Sequence, residues 1–510
     1  MLHSVILPAD IGISNYTTWR PDQLQFAQKL AKFDVPILGL SCPTGFGKSL
    51  TYVAGAILSG KRTVILTSTK ILQDQLAADF ASVDGVHVLK GRVEYRCVLE
   101  DCTCDIALCR WWDEGPTRCP AYHDCPYYTA IRNAPGSKLL ITSYAAWIAH
   151  SNIAQGIPFA RELVICDEAH DIVKAIDSAT SVYIPHRVLG RKGKEGERAE
   201  DYLRDVTQAL AKRVQAARET GEMTPQTVKD KALLQSVVQL SSVQSEIVAE
   251  TEAYATGTTF YAADIQHLFT RYFRAAKYLV LTSATLSKGS IELLGIPQSE
   301  CVLLSAQNRI PAANRRVVHV PTIRVRYPMT QAELKYWLHI IDSIVGKYVV
   351  QLGYKGIIHS VSYARSREIY TNSSHKNRLL CHDSATDTKY LVEFFRNLSS
   401  DVALISPALT TGYDFPYDFC RFQVISKLPF LPPSTLLAWR EGKYRGYGFA
   451  QTAQTIVQMA GRGCRGPDDW CVTVIVDDHI KWFRKEAAKY WPSWFTVSTV
   501  DTVLELPVRQ

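Results

Sequence analysis

Ser41-Cys42-Pro43-Thr44-Gly45-Phe46-Gly47-Lys48-Ser49 follows a short apolar run, Ile37–Ser41, and precedes the helix-like Leu50–Leu58. These residue types suit a phosphate cradle. Gly45 and Gly47 let backbone N–H groups turn toward a phosphate with no Cβ in the way. The next helix adds its positive N-terminus. Lys48 neutralises terminal phosphates, and the Ser49 hydroxyl can ligate Mg²⁺. The common pattern carries a further Gly with four residues between it and the Gly-Lys pair; Cys42 holds that position here. A chance Gly-rich turn is the bland alternative, and the strand–loop–helix setting argues against it. Thr44, Gly45, Phe46, Gly47, Lys48 and Ser49 are therefore the candidate nucleotide-binding loop.

Around this loop, short apolar runs alternate with helical stretches. Thr63–Thr67, Leu139–Thr142 and Leu163–Cys166 join Ile37–Ser41 as buried strands, and Tyr278–Thr282 adds another. Strands alternating with helices predict a parallel α/β sheet with ligands at the carboxyl ends of its strands. Asp167-Glu168-Ala169-His170 sits at one such end. Two adjacent carboxylates there suit one Mg²⁺-holding group and one group that deprotonates an attacking water. Alone, the pair could be a solvated helix start; beside the Lys48 loop the functional reading is preferred. A linker-like stretch near Asn308–Pro321 precedes a second α/β set, with strands expected at Gly356–His359, Val402–Ile405, Arg421–Ser426 and Trp470–Val476.

Composition sets the outer limits. The chain has 510 residues, 47% hydrophobic and 21% charged, which fits folded globular domains and excludes wholesale disorder. No apolar run reaches the roughly 18 residues of a membrane span, so no membrane partner is expected. The opening MLHSVILPADIGISNYTTW lacks a basic start and a long apolar stretch. The expectation is a cytoplasmic protein with no secretion signal. The net charge of +8 permits a polyanionic partner without demonstrating one.

Six of the 13 cysteines fall between Cys97 and Cys125. In a reducing compartment such crowding reads as a metal or iron–sulfur site before it reads as disulfides. Four thiolates satisfy a [4Fe–4S] cube or a Cys₄ zinc site, and spacing alone leaves both open. Trp111, Trp112, Tyr122, Tyr127 and Tyr128 lie there too, with Arg96, Arg110, Arg118 and Arg132 among them. Such interleaving can stack bases and neutralise phosphates; packing of a small domain is the competing reading.

Further motifs complete an ordered set: Thr67-Ser68-Thr69-Lys70, Leu281-Thr282-Ser283-Ala284-Thr285-Leu286, and Gln458-Met459-Ala460-Gly461-Arg462-Gly463-Cys464-Arg465. Together with Asp167–His170 and the cysteine insertion, they resemble the DinG/XPD branch of superfamily 2, the DEAH-box iron–sulfur DNA helicases, over about residues 18 to 480. The resemblance implies two RecA-like parallel-sheet domains. The first spans 1–178 and 263–305 and carries a cysteine-rich iron–sulfur insertion at 90–135 and a helical arch-like insertion at 179–262. The second spans 306–510. ATP, Mg²⁺ and a [4Fe–4S] cluster are the implied cofactors. The implied partners are single-stranded and forked duplex DNA, bound by a monomer that moves 5′→3′. An RNA or RNA–DNA hybrid helicase and an ATP-gated clamp are the alternatives.

By the same resemblance, Gln23 in Arg20-Pro21-Asp22-Gln23 reads the adenine edge. Asp167 holds Mg²⁺ with Ser49, and Glu168 activates water. Gln458, Arg462 and Arg465 come from the second domain, with the two arginines aimed at the γ-phosphate. Ser283 and Thr285 couple the ATP site to the nucleic-acid groove, and His359-Ser360-Val361-Ser362-Tyr363 touches the strand backbone. Thr410-Thr411-Gly412-Tyr413-Asp414 matches a Glu-Gly-Ile-Asp-like motif, with Thr411 in place of the acid, and makes Gly412 and Asp414 candidate nucleotide contacts. The cluster ligands are Cys97, Cys119, Cys125 and one of Cys102, Cys104 and Cys109, with Cys109 favoured.

Overall fold

The computed structural model describes residues 6–508 apart from 108, 110–115, 152–160, 222–223, 253–254, 385–387, 400 and 411–412. Two seven-stranded parallel sheets organise these residues. The first runs in the order Cys301–Ser305, Ile37–Ser41, Tyr278–Ser283, Leu163–Asp167, Thr63–Thr67, Leu139–Ser143, Val86–Leu89. The second runs Leu379–Cys381, Ala403–Ser406, Gly356–His359, Phe422–Ile425, Val472–Ile475, Val317–His319, Val497–Thr499. The central strands of both are buried along their whole length. That burial explains their unbroken apolar runs, since a sheet covered by helices on both faces has no polar side to show.

Register positions the site. Ser41 pairs with Ser283, and Asp167 pairs with Thr282. Three motif-bearing strand ends therefore lie side by side at one edge of the first sheet.

Two expectations are corrected. The linker-like stretch near Asn308–Pro321 contains a strand, Val317–His319, which pairs with Val472–Ile475 on one side and Val497–Thr499 on the other. The stretch expected to be helical at 179–262 does hold two helices, Ala199–Thr220 and Pro225–Ser242. It also holds a three-stranded antiparallel sheet of Ser181–Pro185, Gly257–Ala262 and Ile247–Glu250. Helix and sheet share one core: Tyr202 stacks on Phe260 at 5.4 Å, and Leu203, Val206 and Leu210 are buried beside them.

The second domain grips this insertion and its root. Helix Thr435–Lys443 lays Leu436 against Val248 and Ala263. Buried Arg440 donates two hydrogen bonds to Asp177, at 2.8 and 2.6 Å, and a third to the Ala263 carbonyl at 3.2 Å. Glu250 accepts from the Leu436 N–H at 2.7 Å, and Lys443 reaches Asp264. A bidentate pair this enclosed is fixed in geometry, and removal of one partner strands the other charge in a dry site. Asp177→Asn is expected to cost about 3–5 kcal/mol in urea unfolding. A loss within the range of a surface pair, below about 1 kcal/mol, would show that the clamp is dispensable.

Candidate functional site

The loop after Ile37–Ser41 turns through two left-handed glycines, Gly45 at φ 78° and Gly47 at φ 84°. A Cβ on Gly45 would lie 2.6 Å from the Arg465 carbonyl oxygen, and one on Gly47 would lie 2.2 Å from Gln23 Nε2. Both positions exclude a side chain by conformation and by space. Gly47 then caps helix Lys48–Ser59, whose first turn presents Lys48 and Ser49.

Lys48 Nζ meets Glu168 Oε1 at 2.7 Å. Burial opposes the charge on Lys48, but Glu168 and Asp167 outweigh it and raise its pKa. Burial likewise works against a charged Glu168; Lys48 and then His170 outweigh it and hold the carboxyl well below its usual range. Asp167 is pushed the other way, first by burial and then by the neighbouring Glu168 charge. The two carboxylates thus share one cation unequally. Glu168 sits at φ 48°, a left-handed conformation that costs a non-glycine residue about 1–2 kcal/mol. The hydrogen bond from its N–H to Asp167 Oδ1 at 3.0 Å and the Lys48 pair offset that cost.

Asp167 is the most tightly held residue of the group. Tyr52 OH donates to Oδ2 at 3.0 Å, and Tyr144 OH donates to the Asp167 carbonyl at 2.8 Å. His170 Nδ1 lies 2.8 Å from Ser283 Oγ, which lies 3.0 Å from Thr285 Oγ1. The Asp-Glu-Ala-His end is therefore joined to the Ser-Ala-Thr turn by hydrogen bonds. Gln23 is buried against the loop. Its amide donates to the Phe46 and Gly47 carbonyls at 2.9 and 3.2 Å, and its oxygen accepts from the Arg20 N–H at 2.7 Å. Both polar ends of Gln23 are thus engaged by this chain's own backbone.

The second domain forms the opposite wall. The Arg465 carbonyl faces Gly45, and Thr44 Cγ2 lies 3.6 Å from the Cβ position of Gly461. Arg462 donates to the Thr410 and Tyr413 carbonyls at 3.1 and 3.0 Å and pairs with Asp414 at 3.3 Å. Arg465 pairs with the same Asp414 oxygen. Burial lowers the pKa of both guanidinium groups, that of Arg465 to about 10, against the pull of Glu168 across the cleft. Gln458 is half-buried on helix Tyr447–Ala460, one turn before Arg462. Gly412 and Thr411 lie outside the described residues.

Three residues here were not singled out by sequence reading: Tyr52, Tyr144 and Asp469. Asp469 is fully buried and accepts from the backbone N–H groups of Arg465, Trp470 and Tyr417, and from Arg421. Only Tyr52 carried a local signal, since it stands one helical turn past Lys48.

Hard oxygen donors and a cationic loop fit a magnesium–nucleotide complex: Ser49 and Asp167 on one side, with Lys48 beside them. The cysteine insertion is arranged differently. Cys104 and Cys125 are buried with sulfurs 4.0 Å apart, and Cys97 packs against the same small core. Burial and then Cys125 push the Cys104 thiol up to about 12; burial and then Cys119 push Cys109 up to about 11. Such crowded thiols resist ionising together without a compensating cation. As placed, they do not form a ligand set: among the described residues, no group of three or more His, Cys, Asp or Glu side chains is gathered to hold a metal ion.

Among the described residues, two of the rings expected to stack bases are internal. Tyr127 and Tyr128 are buried, 5.2 Å apart, with Arg92 over Tyr127 at 4.5 Å and Arg132 over Tyr122 at 5.1 Å. Trp111, Trp112 and Arg110 lie outside the described residues. In the stretch at 179–262, Arg191 is tied to Glu197 and Asp205, each at 2.8 Å. Among the described residues, no helix is long and apolar enough to cross a membrane.

Comparison with known proteins places this geometry. A Helicase C-terminal domain family model matches residues 345–498, and a DEAD_2 model matches 117–189, which include Cys119, Cys125, Asp167 and Glu168. The ATP-dependent DNA helicase YoaA of Haemophilus influenzae is 27% identical over 213 residues, covering 30% of this chain and 33% of that protein. The Escherichia coli YoaA is 26% identical over 185 residues, covering 25% of this chain and 29% of that protein. The match thus spans about a third of these relatives' length. In fold, an XPD helicase structure aligns at TM-score 0.62 with 13% identity, covering 94% of this chain and 98% of that one. S. tokodaii Xpd4 aligns at 0.61 with 13% identity, covering 94% and 100%. The chain thus matches helicase family models over two segments and shares the fold of XPD helicase structures.

Proposed function

We propose that the chain is an ATP- and Mg²⁺-dependent DNA helicase that hydrolyses ATP between its two parallel-sheet domains. The observation that carries this reading is the facing of two walls. The Gly45–Ser49 loop and Glu168 stand on one side, and Arg462 and Arg465 stand on the other, with the Arg465 carbonyl against Gly45.

The ion pairs suggest how the residues act. Each cation that would meet a phosphate is held by a carboxylate, Lys48 by Glu168 and the two arginines by Asp414. An incoming triphosphate competes for all three. When Lys48 turns to the phosphates, Glu168 loses the charge that depresses its pKa and becomes a better proton acceptor for the attacking water. Arg462 and Arg465, released from Asp414, stabilise charge that grows on the transferring phosphoryl group. Asp167 and Ser49 would hold Mg²⁺, which supplies charge neutralisation at the phosphates. Gln23 braces the loop through Phe46 and Gly47; its reading of adenine rests on the resemblance. Hydrolysis is proposed to alter the domain separation and drive movement along single-stranded DNA, 5′→3′ by likeness to the family.

The cysteine insertion is proposed to take a [4Fe–4S] cluster, supported by family likeness and by the crowding of thiols. No step of the ATP chemistry runs through it.

Three outcomes test these assignments. Glu168→Gln is expected to bind ATP normally and to lose at least 100-fold in turnover; near-normal hydrolysis would remove Glu168 as the base. On tailed duplexes, unwinding is expected with a 5′ DNA tail and not with a 3′ tail. Unwinding of RNA duplexes alone would favour the RNA alternative. Anaerobically purified protein is expected to carry iron and sulfide with visible absorbance that Cys125→Ser abolishes. Stoichiometric zinc in a colourless protein would reject the cluster.

A further inference from the structure

Tyr52 has no place in the steps above, yet it is fully buried in the middle of the site. It lies one turn past Lys48, so its ring points from the phosphate-loop helix toward the end of strand Leu163–Asp167. Its hydroxyl donates to Asp167 Oδ2 at 3.0 Å. The other carboxylate oxygen, Oδ1, takes the Glu168 N–H at 3.0 Å. With one donor on each oxygen, the plane of the Asp167 carboxylate is fixed, and each oxygen keeps an acceptor position free. A phenylalanine would fill the same space without needing a partner, so packing alone does not call for the hydroxyl.

We propose that Tyr52 is a positioning residue for a divalent cation: its hydroxyl sets the orientation of Asp167, so that this carboxylate meets a nucleotide-bound Mg²⁺. This rests on the reading of Ser49 and Asp167 as its protein ligands. A partner that orients a ligand without touching the metal typically contributes about 10–100-fold in metal affinity. Tyr52 is therefore expected to act on the Mg²⁺ dependence of nucleotide binding and not on nucleotide binding itself.

The test is equilibrium titration of the full chain with a fluorescent ADP analogue, in EDTA and across a Mg²⁺ series, for wild type, Tyr52→Phe and Asp167→Asn. Tyr52→Phe is expected to match wild type in EDTA within about twofold and to need about tenfold more Mg²⁺ for half-maximal tightening. An unchanged Mg²⁺ midpoint in Tyr52→Phe, with a shifted one in Asp167→Asn, would overturn the inference and leave the site reading standing. Loss of binding by Tyr52→Phe in EDTA would overturn it as well, because the ring would then serve the fold. A wild-type chain whose ADP binding ignores Mg²⁺ would instead overturn the underlying site reading.

Discussion

The Lys48–Glu168 pair, at 2.7 Å, is the interaction on which the rest of the site depends. Two charges placed this deep are costly unless each satisfies the other. Their meeting requires three independent pieces of chain. Gly47 must start a helix from a left-handed turn, Glu168 must turn back at φ 48°, and the strands Ile37–Ser41 and Leu163–Asp167 must stand in register with Tyr278–Ser283 between them. The pair also gives Lys48 an anionic partner from within the chain, the Glu168 carboxylate. An empty loop of this kind would carry an unbalanced buried cation, and Glu168 removes that penalty.

The second domain repeats the device and is anchored elsewhere. Asp414 takes up Arg462 and Arg465, while Asp469 fixes the backbone from which Arg465 projects. Away from the cleft, Arg440 and Asp177 hold helix Thr435–Lys443 to the first domain beside the insertion. The domains touch at the cleft, at this clamp, and where Lys489 pairs with Glu292 at 3.8 Å. One contact lies at the cleft, where the Arg465 carbonyl faces Gly45 and Thr44 nears Gly461. Another is the bidentate clamp of buried Arg440 on Asp177.

Much of this was legible in the sequence because it is local. Ile37–Ser41 with its glycine-bearing loop, the Asp167-Glu168 pair and the Gln458–Arg465 run announce themselves by residue type and order. What escaped was set by distant partners. Val317–His319 is three residues long and becomes a strand only through Val472–Ile475 and Val497–Thr499, far along the chain. Asp469 looks like a surface acid in Gly-Pro-Asp-Asp, yet it is buried under the backbone donors of two loops. Gly257–Ala262 was readable in principle, since Thr258-Thr259-Phe260-Tyr261 is rich in strand-favouring residues; the helical composition around it hid the signal. The ligands of the cysteine insertion lie beyond both kinds of reading, because six thiols offer more sets of four than spacing can separate.

The central claim is that ATP is hydrolysed between these two walls and that nucleic acid controls the rate. The direct measurement is phosphate release by the purified chain with ATP and Mg²⁺, with and without single-stranded DNA. Turnover that is slow alone and rises at least tenfold with DNA is the predicted result. A chain that releases no phosphate above background under either condition, while binding ATP, would contradict the account.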